Sequence, residues 1–147
     1  MAQRDTTTGS NYESVIEMCI KRSCEKNDLT AIAQSIIGEK PGGGKHRVDW
    51  EIFQNSHPDH RGLISCKFQG TSGTAEEKIA YEVIKLLHAM KIDTRYKKSW
   101  IIMGGEGWST GIRTFVNNNL QEWIPEMSEK IEILTTDQLL NKDLKLG

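Results

Sequence analysis

The sequence predicts one α/β (α+β) domain, a mixed central β-sheet of about five strands flanked by helices in the order αβββαβαβα. Three observations support this fold class. The 147 residues suffice for one hydrophobic core but not for two. Two neighbouring segments alternate apolar and polar residues as hairpin strands do, and the later apolar strands are separated by segments of helical period. Residues 1–147 are therefore taken as one domain, with residues 1–8 as a loose N-terminal tail.

The first helix is expected to start at Ser10, because S-N-Y-E forms a capping box with Ser10 as N-cap and Glu13 three residues later. Apolar residues follow at helical spacing to about Lys26. A short strand is predicted over residues 29–38, and P-G-G-G-K, residues 41–45, is expected to be a glycine-rich loop.

Two hairpin strands are predicted next, over residues 46–53 and 61–69, because apolar and polar residues alternate strictly in both. The connector N-S-H-P-D-H-R-G, residues 55–62, is rich in turn-forming residues. One face of each strand is apolar and is expected to meet the core. The opposite faces carry Arg47, Asp49 and Glu51 on the first strand, and Ser65, Lys67 and Gln69 on the second.

The pairing of these two strands decides which side chains meet. With the turn centred near Pro58, the numbers of paired residues sum to about 116. Asp49 then lies opposite Lys67, and Glu51 lies opposite Ser65. A slip by one residue would bury the charged side chains and expose the apolar ones. A shared face is therefore expected for Asp49, Glu51, Ser65, Lys67 and Gln69.

Helices and strands alternate in the second half of the chain. A long helix is expected to begin after Thr74 as N-cap, with an apolar stripe at helical spacing. S-W-I-I-M-G-G, residues 99–105, is typical of a buried strand. A helix from Thr110 to Ile124 with Trp123 facing inward, a strand I-E-I-L-T and a closing helical turn complete the chain. Hairpins first and crossovers later predict a mixed sheet with helices on both faces.

The overall charge excludes a protein that coats nucleic acid through bulk charge, since the net charge is only −1. Local basic clusters remain candidates for contacts with DNA, although each is equally consistent with a solvated loop. No apolar leader or membrane span is present, and three cysteines lack CxxC spacing, so a cytoplasmic protein with no membrane partner is expected. The candidate DNA-binding residues are Lys45, His46, Arg47, Lys97 and Lys98.

Two carboxylates and a lysine on adjacent strands indicate a possible metal site. Carboxylate, carbonyl and water oxygens are the ligands that Mg²⁺ prefers. A lysine beside such a metal can orient or deprotonate the attacking water in phosphate chemistry. The alternative is an ordinary ion pair across two strands, which contributes up to about 1 kcal/mol.

The order of elements and these residues together resemble the PD-(D/E)XK nucleases, which have the restriction-endonuclease-like fold. The resemblance covers about Gly9 to Leu134. It implies that Asp49 takes the place of the family's first aspartate and Lys67 the place of its lysine. It also implies that Cys66 offers its backbone carbonyl to a metal, and that Glu13 matches an acidic residue on the first helix.

One departure from the family pattern is important, because Ser65 stands where a second acidic residue is expected. Some similar restriction enzymes take the missing carboxylate from the following helix, which favours Glu77 as catalytic residue and metal ligand. Other similar members, including homing endonucleases, have an amide near the lysine, which favours Gln69. The assumed strand register adds Glu51 as a third candidate for the missing group. Glu77 also forms a capping box with Thr74, so a purely structural role stays open for it.

The resemblance implies a site-specific endonuclease of restriction or homing type, dependent on Mg²⁺ with Mn²⁺ expected to substitute, acting on double-stranded DNA. One centre cuts one strand, so a homodimer or homotetramer is expected. The alternatives are a non-catalytic nuclease-like domain that binds DNA or a partner, a Holliday-junction resolvase, and a phosphoesterase for small molecules. A separate metal site at His57, Asp59 and His60 is a weaker candidate, since nothing completes a tetrahedral set.

Overall fold

The computed structural model describes residues 7–68, 75–105 and 108–146, with the backbone alone for residues 7–11, 75 and 76. None of the helices in these ranges is long and apolar enough to cross a membrane. The elements follow the predicted order, with two short helices in place of the third long one. They are α1 (Thr7–Asn27), β1 (Leu29–Glu39), β2 (Lys45–Gln54), β3 (His57–Phe68), α2 (Ala75–Ile92), β4 (Tyr96–Gly104), α3 (Thr110–Thr114), a π-helical turn (Phe115–Asn119), α4 (Leu120–Trp123), a 3₁₀ turn (Pro125–Met127), β5 (Ile131–Thr135) and α5 (Thr136–Leu140).

The sheet has five strands in the order β1-β2-β3-β4-β5. Strands β1, β2 and β3 are antiparallel, whereas β4 runs parallel to β3 and β5 parallel to β4. A two-residue turn can join antiparallel neighbours, but parallel neighbours require a crossover, which α2 and the α3–α4 segment provide. The predicted mixed sheet is therefore confirmed.

Helices cover the sheet on both sides, and each side has its own core. Helix α2 buries the stripe Ile79, Val83 and Leu86, all 0% exposed, against one side, together with residues of α3 and the π-helical turn. Helix α1 packs on the other side with α5, around residues such as Trp100. The side that α1 covers is called the α1 side below, and the other the α2 side.

Two expectations about helix ends are wrong. Helix α1 begins at Thr7, so Ser10 lies inside the helix and is not its N-cap, and the last two residues of the expected tail, 7 and 8, belong to this helix. Trp123 is 79% exposed rather than buried, because α4 ends at this residue. The expected N-cap Thr74 lies outside the described residues.

The predicted register between β2 and β3 is also wrong, by two residues. Gln54 pairs with His57, so the turn is Asn55–Ser56 instead of a loop around Pro58. The pairing then shifts at an irregularity and continues with Glu51 opposite Leu63, not Ser65. An even shift keeps each side chain on its face of the sheet but moves it along the strand. Asp49 is consequently level with Ser65 and not with Lys67.

Candidate active site at the fork of strands β2 and β3

The alternation of side chains along β1 and β2 is interrupted at Asp49. Trp50 packs with the core of the α1 side, whereas Val48, two residues away along β2, belongs to the core of the α2 side. On β1 the residue at the same level, Gln34, has a left-handed backbone with φ 52°. Such an irregularity re-aims a side chain. Asp49 therefore points neither into one core nor into the other.

The carboxylate of Asp49 bridges the point where β2 and β3 separate. The ladder ends at the pair Trp50 and Ile64. Beyond it, Asp49 Oδ2 accepts a hydrogen bond of 2.7 Å from the backbone N–H of Cys66. This bond satisfies an N–H group that the ladder no longer reaches and fixes the orientation of the carboxylate beside β3.

A pocket of about 230 Å³ opens from this fork on the α1 side. Its lining includes Glu13, Asp49, Cys66 and Phe68. Burial raises the pKa of the Cys66 thiol, and the negative charges of Asp49 and Glu13 raise it further. The pocket therefore brings Glu13, Asp49 and Cys66 together, and Glu13 is exposed.

On the α2 side, Lys67 is held by a carboxylate from helix α2. Its ammonium Nζ lies 2.6 Å from Glu82 Oε1, and Lys85 Nζ lies 3.3 Å from the same oxygen. The Glu82 side chain is only 2% exposed. Burial alone would raise the pKa of Glu82, but its contacts with Lys67 and Lys85 outweigh burial and lower that pKa. Glu82 is therefore an ionised, buried carboxylate at the lysine of the motif.

Sequence reasoning missed Glu82 and selected Glu77 on the same helix. Glu77 is exposed near the start of α2. Glu82 lies three residues after Ile79 and four before Leu86, on the apolar stripe of that helix. A charged residue on the buried face of a helix is uncommon unless it is paired. This position was the signal available in the sequence.

Glu51 does not lie at the fork. Its carboxylate forms an ion pair of 3.0 Å with Arg61 and accepts hydrogen bonds from the Tyr96 hydroxyl at 3.0 Å and the Ser35 hydroxyl at 2.8 Å. These partners satisfy the charge of a side chain that is 6% exposed. Glu51 therefore has a structural role, and the other candidate, Gln69, lies outside the described residues.

The candidate DNA-binding residues fall into three different surroundings. Lys45 and Arg47 are exposed at the start of β2. His46 between them is 1% exposed and faces Glu82, so it does not lie at the surface, and burial lowers its pKa. Lys97 and Lys98 lie at the start of β4, where Lys98 pairs with Gly62 of β3.

Lys98 lies far from the fork along strand β4. Along β4, the partner of Lys67 is Met103, five residues further than Lys98. At about 3.3 Å per residue this distance is roughly 17 Å, so the pair Lys97 and Lys98 lies towards the opposite end of the sheet from Lys67.

The oxygen donors at the fork fit a magnesium ion only in an open arrangement. In the described part of the chain, no group of three His, Cys, Asp or Glu residues is placed to hold a metal. This finding also removes the support for a site at His57, Asp59 and His60. Mg²⁺ keeps several waters and commonly uses one or two carboxylates together with substrate phosphate. Asp49 would supply one carboxylate to such an ion, while Glu82 is engaged by two lysines.

A family model described as a PD-(D/E)XK nuclease superfamily domain matches residues 7–146, which is nearly the whole chain. No curated protein and no solved structure matches the sequence. The match covers the helix with Glu13, both strands of the fork and helix α2.

Proposed function

The chain belongs to the PD-(D/E)XK nuclease superfamily, and on this basis we propose that it is a metal-dependent DNA endonuclease that hydrolyses phosphodiester bonds. The observation that carries the proposal is the fork itself. An aspartate is fixed by a 2.7 Å hydrogen bond to the backbone of Cys66, and the next residue is a lysine held by a buried glutamate. This arrangement combines the aspartate and lysine of the family with a glutamate from α2.

Asp49 and the carbonyl of Cys66 would hold the metal. A bound divalent cation offsets the charge that builds on the scissile phosphate. Asp49 is suited to this role because its carboxylate is already oriented by the Cys66 N–H and is only partly buried. A carboxylate that is already held in place loses little conformational freedom when it binds a metal. This favours the binding of Mg²⁺, which requires a strict coordination geometry, and of Mn²⁺ in its place.

Lys67 contacts Glu82 on the α2 side, whereas the pocket beside Asp49 opens on the α1 side. In this proposal the scissile phosphate must therefore lie at the fork between the two sides, where Lys67 would orient the attacking water. The Lys67 side chain is 30% exposed, so it is accessible to a substrate while Glu82 restricts the position of its ammonium group. The water oxygen would form a bond to phosphorus and the bond from phosphorus to the 3′ oxygen would break. One proton of the water passes to the solvent, and the leaving 3′ oxygen takes up a proton from the solvent to become a hydroxyl. Glu82 is a positioning residue here, because it acts through Lys67.

The substrate we propose is double-stranded DNA, cut at specific sites by a homodimer or homotetramer. One catalytic centre cuts one strand, so cutting both strands would require two copies. The net charge of −1 disfavours indiscriminate attraction to phosphate backbones and favours selective contacts. Exposed Lys45 and Arg47 at the start of β2 are available for such contacts.

The second candidate is a nuclease-like domain that binds DNA without cutting it. It is favoured by the engagement of Glu82 with two lysines, which takes this carboxylate away from a metal. The two functions differ in one measurable property, the metal-dependent cleavage of DNA.

Cleavage of supercoiled plasmid is the decisive test. The wild-type protein is incubated with plasmid in Mg²⁺, in Mn²⁺ and in EDTA, beside the variants Asp49→Asn, Lys67→Ala and Glu82→Gln. Glu122→Gln is the matched control, since Glu122 is an exposed glutamate on α4 that is not assigned to the candidate site. We expect nicked or linear plasmid with the wild type and the control, and a loss of at least 100-fold with the three variants.

Two results decide against the proposal. Intact plasmid with the wild type in both metals would favour the non-catalytic domain, provided that the protein still binds duplex DNA. Cleavage that persists in Asp49→Asn and Lys67→Ala would assign the activity to another site or to a contaminant.

A further inference from the structure

A second pocket, of about 260 Å³, opens at the carboxyl ends of β4 and β5. Polar side chains form its rim, and the core residues Met103 and Val116 lie at its base. The polar side chains are those of Arg113, Asn117, Thr135 and Gln138. Clefts at the carboxyl ends of parallel strands are common ligand sites, because loops and helix ends converge there.

The pocket lies beside Lys67 across the sheet, because their residues pair from strand to strand. Lys67 pairs with Met103 on β4, and Met103 pairs with Thr135 on β5. Neighbouring strands are about 4.8 Å apart, so the backbones of Lys67 and Thr135 are roughly 10 Å apart. Met103 belongs to the core of the α2 side, and Lys67 contacts Glu82 on that same side. The pocket and the lysine therefore open on one face of the sheet.

Two of the rim residues come from α3 and from the π-helical turn that follows it. Arg113 and Asn117 are both exposed. Among residues 7–68, 75–105 and 108–146, no carboxylate forms an ion pair with Arg113. Asn117 lies at the centre of the π-helical turn Phe115–Asn119. π-helical turns are rare and are frequently found at functional sites.

The third rim side chain, Gln138, is oriented by the start of α5. Its Oε1 accepts the backbone N–H of Thr135 at 2.8 Å, and its own backbone N–H donates to Thr135 Oγ1 at 3.2 Å. Because the amide oxygen is held by this capping box, the amide NH₂ group is left to point away from the backbone. The rim thus offers a guanidinium and two amides at one pocket.

We propose that this rim reads the edge of a purine base in the DNA that occupies the fork. Arginine pairs with guanine through O6 and N7, and asparagine and glutamine pair with adenine through N6 and N7, so all three side chain types can contact N7 of a purine. DNA has one phosphate per 3.4 Å along each strand, so 10 Å corresponds to about three nucleotides. The base read by Arg113, Asn117 and Gln138 lies within about three nucleotides of the scissile phosphate. This inference rests on the proposed function for its ligand.

Selection of bound duplexes from a randomised 30-bp library tests the inference without requiring cleavage. The wild-type protein selects duplexes in EDTA, and the bound DNA is sequenced. We expect a purine preference at one fixed position of the enriched site. Asn117→Ala is expected to reduce that preference about tenfold at this position only. Asn118→Ala is the matched control, because Asn118 is an adjacent exposed asparagine that does not line the pocket.

A second variant separates base reading from simple charge attraction. Arg113→Lys keeps the charge but loses the planar fork of donors. It is expected to keep overall affinity within about twofold and to lose preference at the purine. If Arg113→Ala weakens all duplexes equally and lowers the slope of log affinity against log salt by about one, Arg113 contacts phosphate and the inference is wrong.

The remaining outcomes distinguish this inference from the proposed endonuclease. Identical base preferences in Asn117→Ala and Asn118→Ala, with plasmid cleavage intact, would overturn the inference alone. A purine preference lost only in Asn117→Ala, with no cleavage in Mg²⁺ or Mn²⁺, would support the inference and overturn the endonuclease. Absence of any duplex binding would overturn both.

Discussion

Replacing Glu82 by glutamine removes one charge from the centre of the candidate site. Glu82 is 2% exposed and is shared by Lys67 at 2.6 Å and Lys85 at 3.3 Å. A hydrogen bond to a charged group contributes about 1.5–3 kcal/mol. The variant recovers part of that loss, because an amide costs less to bury than a carboxylate and both lysines are partly exposed to water. We therefore expect the free energy of unfolding to fall by about 2 kcal/mol.

Urea denaturation measures this change. With a slope of about 2 kcal/mol per molar urea, a loss of 2 kcal/mol lowers the midpoint by about 1 M. Glu77→Gln is the control, and its free energy of unfolding is expected within about 0.5 kcal/mol of that of the wild type. Under the proposed function, Glu82→Gln also lowers the cleavage rate about 100-fold because Lys67 is no longer held in position.

The pH dependence of stability provides a second readout of the same contact. The pKa of Glu82 in the folded protein lies below its ordinary value of 4.5. The stability that this carboxylate contributes is therefore fully present above pH 4.5 and is lost as the pH falls through the lower, folded-state pKa. The difference between wild type and Glu82→Gln should shrink below pH 4.5. An equal midpoint for the two proteins at pH 7, or a difference that stays constant into acid, would refute the role given to Glu82.

Three further changes have expected outcomes. Glu51→Gln should lower the free energy of unfolding, measured in urea, by about 2 kcal/mol, because it leaves Arg61 with a weaker partner. It should leave the metal dependence of cleavage unchanged, and a specific loss of the metal response would show that Glu51 takes part in the site. Gly62→Ala should lower the free energy of unfolding by about 1–3 kcal/mol, because the added Cβ would lie 2.6 Å from a leucine methyl group and 3.0 Å from a backbone oxygen. Gly111→Ala is the control and should be tolerated, since its Cβ would meet nothing closer than 3.8 Å. Equal melting temperatures for the two variants would contradict this packing. Cys66 should react with iodoacetamide at pH 8 far more slowly in the folded protein than in urea, because burial and nearby carboxylates raise its pKa, and equal rates would show that it is not buried.

Much of the fold follows from patterns within short segments. The alternation in residues 46–53 and 61–69 predicts a hairpin, and the stripe on α2 predicts a buried helix; both are present. These patterns are local, because the side chain period of a strand or a helix depends only on neighbouring residues. The register was not predictable from the same information, since Asn55–Ser56 and Pro58 both suit a turn and an irregularity changed the pairing beyond it.

The sequence by itself determined the superfamily and the order of elements, and it selected Asp49 and Lys67 as candidates for the site. Only the tertiary structure decided which carboxylate accompanies Lys67. Ser65 and Glu77 are both nearer to Lys67 along the chain than Glu82 is, yet the carboxylate that contacts Lys67 is that of Glu82 on α2. The reason is physical: a contact between a helix and a strand depends on how far the helix extends across the sheet before it packs. That position is set by the burial of Ile79, Val83 and Leu86 together, and no single motif records it.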